Sequence, residues 1–221
     1  MKPAVLGACT ITGSAAELRA RAATFTSRRV LRLLDSWSLA PFVTVMELKA
    51  DAWPEDWDGE RTGLITISDL EPGFGGLLPA GAPEEGLAHV LERKPTEWLR
   101  EMANNPACQA SIVSQLRGPT LHYVGDADTC RLALLEAAAW LESGTADRVL
   151  VVAFDEGDFP GAARADDGRS QAAGVALGGG DAAALGDTDR LTGGAGAPGT
   201  AVAAMTDLVA AFGQAAPERA G

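Results

Sequence analysis

The stretch from Gly118 to Phe154 constrains the fold more than any other part of the chain. Gly118-Pro119 turns into a short strand, Thr120 to Val124, and the polar knot Gly125-Asp126-Ala127-Asp128 follows it. The helix from Thr129 to Glu142 is apolar nearly all round, the composition of a buried helix, and Gly144 closes it. Arg148 to Phe154 is then a continuous apolar strand ending at Asp155-Glu156. Strand, helix and strand in this order outline one right-handed crossover between parallel strands, so the expected class is α/β.

The remaining segments alternate in the same way. Pro3 to Cys9 reads as an apolar strand and Ala15 to Leu34 as a helix, with Ser14 as N-cap and Glu17 completing a capping box. This helix carries Arg19, Arg21, Arg28, Arg29 and Arg32, a basic patch that fits either a solvated face or the docking of an acidic carrier protein. Phe42 to Leu48 suits a strand by its β-branched residues and a helix from Met46 onward, and both readings stay open. An acidic loop, Asp51 to Glu60, leads into the strand Arg61 to Ser68; Gly73, Gly75 and Gly76 mark a loop. Glu84 to Asn104 is helical in character but interrupted at Pro95, and Pro106 to Leu116 is a further helix closed by Gly118. Gln171 to Leu177 is a small-residue strand. The expected organisation is one domain over 1–178, a Gly/Ala-rich linker over 179–199 and a C-terminal helix over 200–216, with Val202, Met205, Leu208, Val209 and Phe212 on one face.

Composition removes several classes of function. No apolar stretch approaches the roughly 18 to 20 residues of a membrane span. The segment ending at Cys9 resembles a lipoprotein cleavage site but lacks the preceding apolar run of about 7 to 15 residues. A formal charge of −12 and the lack of basic clusters interleaved with aromatics disfavour nucleic acid. Cys9, Cys108 and Cys130 are odd in number and without metal-type spacing, which fits reduced thiols in a cytoplasmic protein. His89 and His122 are the two histidines, so a histidine-rich metal site cannot be built. Gly194-Ala195-Gly196-Ala197-Pro198-Gly199 has the spacing of a dinucleotide-binding loop, but no apolar strand precedes it, and no cofactor is expected.

Several motifs together resemble the N-terminal half of a β-ketoacyl synthase, a thiolase-fold enzyme. They are Arg61-Thr62-Gly63-Leu64, then Asn105-Pro106-Ala107-Cys108-Gln109-Ala110-Ser111-Ile112, then Leu116-Arg117-Gly118-Pro119, and finally Gly144-Thr145-Ala146-Asp147-Arg148-Val149-Leu150-Val151. The resemblance runs from about Met1 to Leu177 and implies the N-terminal half only of a thiolase-like fold. In active members the strand after Gly-Pro runs into a nucleophilic cysteine at the start of a buried helix. Here that place falls on Ala127 or Asp128, neither of which can carry a thioester, and Asp128 is expected to cap the helix. Cys130 is either a displaced nucleophile of a thiol-dependent acyltransferase or a buried helical cysteine. The family's two catalytic histidines belong to a C-terminal half that this sequence does not contain.

These departures resemble the short, cysteine-less chain length factors found beside aryl-polyene and highly reducing type II polyketide synthases. Gly125-Asp126-Ala127-Asp128, Leu135-Glu136-Ala137-Ala138 and Phe154-Asp155-Glu156-Gly157-Asp158-Phe159-Pro160 carry that likeness. It implies a non-catalytic subunit that forms a heterodimer with a β-ketoacyl-ACP synthase. Thr120, Leu121, His122, Tyr123 and Val124 would form the interface strand. Trp98, Leu99, Met102, Asn105 and Cys108 would line the partner's acyl tunnel and limit the polyene chain, with ordinary core packing as the alternative for each. The acyl carrier protein would dock on the synthase and involve this chain indirectly. A degenerate homodimeric scaffold is the remaining alternative.

Overall fold

The computed structural model describes residues 3–53, 58–68, 92, 94, 102, 104–155, 169–179 and 200–215. Its centre is a five-stranded sheet made of β1 (Pro3–Ser14), β2 (Thr62–Ser68), β3 (Thr120–Val124), β4 (Arg148–Phe154) and β5 (Arg169–Gly179), in the order β1-β5-β4-β2-β3. Strands β3, β2 and β4 are parallel, while β5 runs antiparallel to both β4 and β1. The connection from β3 to β4 is helix α5 (Ala127–Ser143), but the two strands are not neighbours, because β2 lies between them.

Alternation along the strands divides the core into two layers. Leu64, Leu150, Val152 and Phe154 face α1 (Ala15–Phe25), α3 (Ser36–Ala52) and α4 (Asn105–Ser114); α2 (Arg28–Leu31) links the first two of these helices. Ile65, Ile67, Val149, Val151 and Ala153 face α5 and α6 (Ala201–Ala215) on the other side. With helices on both faces, β2 is buried along its whole length. The small-residue segment is therefore an interior strand: Ala172 and Ala176 of β5 face α3, and Ala173 faces α6, where larger side chains would hold the helices away.

The capping box forms as expected, with Ser14 Oγ accepting from the Glu17 N–H and the Glu17 carboxylate accepting from the Ser14 N–H. Several boundaries differ. β1 continues past Cys9 to Ser14, since β5 offers it a partner over that length. The helix expected over Ala15 to Leu34 breaks at Thr26, which is extended, and resumes as the short α2. Phe42 to Leu48 is helical: α3 is buried from Trp37 to Met46 and keeps Pro41 inside it, so burial of the whole segment overrides its strand-like composition. α4 ends at Gln115, in the left-handed conformation, rather than at Gly118. The break at Pro95, the linker and most of Glu84 to Asn104 lie outside the described residues.

Gly118 serves a different purpose. The N–H groups of Arg117 and Gly118 both donate to Gly59 O, the Leu64 N–H donates to Pro119 O, and a Cβ on Gly118 would lie 2.3 Å from Thr62 O. The backbone entering β3 touches the backbone entering β2, and only glycine fits. Gly118→Ala should destabilise the protein by about 2–3 kcal/mol, the usual cost of forcing atoms into a packed site; urea unfolding will measure it, and a loss under ~0.5 kcal/mol would mean that the approach relaxes freely.

Candidate functional site

Two motifs that lie far apart in sequence meet at the start of the parallel strands β2 and β4. Arg61 donates from Nε and Nη2 to the Asp147 carboxylate at 3.0 and 2.7 Å and from Nη2 to Gly144 O at 2.9 Å. The Asp147 N–H returns a bond to Arg61 O. Each charge favours the other's ionised form, holding the Asp147 carboxyl below its usual range. This exposed clamp joins the turn before β4 to β2, which makes it a fold-defining contact with no reacting group.

At the opposite end of β3 lies the strand-to-helix junction. The Gly125 N–H donates to Ser68 O at 2.9 Å, and a Cβ on Gly125 would fall 2.1 Å from Thr129 Oγ1, so glycine lets β3 turn directly into α5. The N-cap of α5 is Asp126, not Asp128 as expected: its carboxylate accepts from the N–H groups of Asp128 and Thr129 at 3.0 and 3.3 Å. A cap must precede the first helical residue to reach those donors, and Asp128 is already within the first turn, paired with Arg131 at 3.3 Å. Asp126 also bridges to Thr200 at the start of α6. Ala127 and Asp128 thus occupy the first two helical positions, where the helix dipole favours the Asp128 carboxylate.

The cysteines are dispersed. Cys130 is 2% exposed, on the face of α5 packed against the sheet. Cys9 sits on β1 beside Glu47 and Asp51 of α3; burial and these carboxylates push its thiol up to about 12. Cys108 is exposed on α4. Among the described residues no three metal-liganding side chains cluster, and no helix is long and apolar enough to cross a membrane.

β3 is the last strand of the sheet, and among the described residues nothing pairs with its outer edge. His122 turns inward from it, its Nδ1 2.9 Å from Thr66 Oγ1 and its Nε2 3.5 Å from Ser68 Oγ, with its ring 6.2 Å from that of Phe154. Burial pushes its pKa down to about 4, so the ring is neutral near pH 7. Tyr123 points to the other layer, partly buried near α5, and Thr120, Leu121 and Val124 are exposed.

Six large hydrophobic side chains are exposed among the described residues: Leu121 and Val124 on β3, Leu132 and Leu135 on α5, Ile112 on α4, and Met102 shortly before α4. Both helices pack on β2, the neighbour of β3, from opposite faces of the sheet. The sequence reading missed Leu132, Leu135 and Ile112. α5 is not buried all round: Cys130, Ala133, Ala137 and Leu141 face the sheet, whereas Leu132, at 58% exposure, and Leu135 face outward. Of the proposed tunnel residues, Met102 and Cys108 are exposed. Asn105 is buried, donating from Nδ2 to Leu33 O at 2.8 Å and accepting from Gln109 Nε2 at 3.2 Å. Trp98 and Leu99, and Glu156 to Pro160, lie outside the described residues.

No protein-family model matches the chain, and no curated protein matches it. Solved structures do. The ishigamide ketosynthase/chain length factor aligns with a TM-score of 0.57 at 15% identity, over 83% of this chain and 63% of that one. The AntDE:AntF complex, a type II polyketide synthase acyl-carrier protein with its ketosynthase, aligns at 0.59 and 15%, over 80% and 62%. The ketosynthase ApeO with its chain length factor ApeC, from Xenorhabdus doucetiae, aligns at 0.52 and 18%, over 81% and 80%. The fold is thus the thiolase-like α/β fold of ketosynthases, and the chain spans about 62–63% of the length of the first two matches.

Two outcomes follow from this geometry. In the native protein a thiol reagent such as DTNB should modify Cys108 first, and Cys9 and Cys130 only after unfolding; prompt reaction at Cys130 would restore the acyltransferase reading. His122 is held neutral in the fold but takes up a proton near pH 6.5 when unfolded, so its contribution is complete above that pH. It is lost as pH falls toward 4. His122→Gln should flatten the stability difference over that window, by at most about 3 kcal/mol, in urea melts at a series of pH values.

Proposed function

We propose that this chain is a non-catalytic chain length factor that forms a heterodimer with a β-ketoacyl-ACP synthase through the outer edge of β3. The observation that carries the reading is that nothing among the described residues pairs with the outer edge of β3, where Leu121 and Val124 are exposed, while α4 and α5, packed on the neighbouring β2, expose Ile112, Leu132 and Leu135. An unpaired strand edge bordered by apolar side chains favours a covering partner. The ketosynthase-type fold suggests an antiparallel strand of similar build, which would extend the sheet across a pseudo-twofold axis. The place of the family's nucleophile holds Ala127 and Asp128 in this sequence, so the growing polyene acyl chain would sit on the partner's cysteine. Met102 and Cys108, both exposed, would approach the partner's tunnel, where a bulky side chain blocks further growth. Asn105 would act indirectly by anchoring α4 to Leu33. The acyl carrier protein would dock mainly on the synthase, since like charges repel at a chain of −12.

The test is co-expression with the ketosynthase encoded beside this chain, read by size-exclusion chromatography with light scattering. A stable 1:1 complex is expected. Leu121→Asp with Leu135→Asp should abolish it while the far-ultraviolet circular dichroism stays that of the parent. A complex indifferent to both substitutions, or a well-behaved homodimer that ignores the synthase, would sink the reading. In the reconstituted pair, Met102→Ala should lengthen the product, and unchanged lengths would remove Met102 from the gate.

A further inference from the structure

The sheet has a second margin, opposite β3. β1 is the other terminal strand, and among the described residues nothing pairs with its outer edge. Its first residues are blunted: Pro3 has no N–H, and the register against β5 shifts between Val5 and Gly7, a bulge that interrupts pairing. From Gly7 to Gly13 the register with β5 is unbroken, so β1 keeps a regular outer edge there. Thr10 and Thr12 of this stretch are exposed.

α3 packs beside this stretch and sets its charge. A cavity of about 480 Å³ opens between α3 and β1, lined in part by Ala8, Cys9, Glu47 and Asp51. Asp51 Oδ2 lies 3.3 Å from where a Cβ on Gly7 would stand, and Glu47, one turn earlier on α3, lies beside Cys9. Both carboxylates oppose ionisation of the Cys9 thiol, so the groove is negative. Arg21 of α1 offsets the charge of Glu47, whereas Asp51 is exposed and forms no ion pair among the described residues. Four residues of helix rise about 6 Å, and two residues of strand about 6.5 Å. The two carboxylates therefore keep step with alternate residues of a strand laid beside β1. We propose that the outer edge of β1 docks an extended segment of another protein, as an added strand whose alternate lysines or arginines reach Glu47 and Asp51. Main-chain hydrogen bonds to the edge would supply affinity, and the carboxylates would select the sign of charge and the register. A second copy of this chain, paired β1 to β1, would bring its own Glu47 and Asp51 against these, and that like-charge contact opposes self-association.

The test uses the full chain and a fluorescein-labelled peptide of about six residues, a common strand length, in which lysine alternates with threonine, followed by anisotropy at low salt. Saturable binding is expected, and it should weaken about tenfold or more in Asp51→Lys. Asp51 is exposed in the last turn of α3, where a negative charge opposes the helix dipole, so this variant should fold as the parent does. Asp207→Lys, the same change of charge on α6 across the sheet, should leave binding unaltered. A peptide N-methylated throughout keeps its charge but cannot donate to the strand edge, and it should not bind. Association with the ketosynthase at β3, the far margin of the sheet, should persist in Asp51→Lys, so failure here leaves that assignment standing. Absence of saturable binding, equal binding of the N-methylated peptide or an equal loss in Asp207→Lys would overturn the proposal. So would a homodimer, seen by light scattering, that Asp51→Lys tightens, since the edge would then belong to a second copy.

Discussion

A sheet buried on both faces is the constraint on which the rest depends. β2 and β4 place apolar side chains alternately above and below, so neither helical layer alone could keep water from them. α3 meets one face almost wholly buried, which is why its propensity and even Pro41 are secondary to its position. On the other face α5 and α6 share the work, and the bridge between Asp126 and Thr200 joins the starts of these two helices. Covering the faces does not cover the edges. Among the described residues the sheet therefore ends at β3 with an unpaired margin, and that margin is where the proposed partner would bind.

The same construction separates structural polarity from functional polarity. His122 looks like a reactive group in a sequence with two histidines, yet in the fold it is a neutral side chain hydrogen-bonded to Thr66 and near Ser68. Asn105 likewise anchors α4 to the carbonyl of Leu33. Cys130 lies one turn from the helix start but on the inner face of α5, away from solvent. On β3 the exposed hydrophobic groups are Leu121 and Val124, and at α2 Arg28, Arg29 and Arg32 are exposed.

Some of this was legible from local patterns. Ser14 and Glu17 announce a helix start because their reciprocal bonds involve only neighbours in sequence. Thr120 to Val124 was read with its full bounds, since Gly118-Pro119 and Gly125 punctuate it on both sides. The α5 cap was misplaced by two residues because Asp126 and Asp128 are equally good caps by type, and only the direction of the chain leaving β3 selects the first. The exposed Leu132 and Leu135 were illegible for a different reason. An all-apolar helix does not state which of its faces will be left uncovered.

The alternation of strands and helices, the buried character of β2 and β4, and the absence of cysteine at Ala127 and Asp128 follow from residue type and near-neighbour spacing. Tertiary structure alone decided that β2 lies between β3 and β4, that the Ala-rich β5 is an interior strand, and that Arg61 reaches Asp147. It also decided which hydrophobic side chains remain in water at the β3 edge. Those outcomes depend on which surfaces meet after residues far apart in sequence are brought together, and no local pattern carries that information.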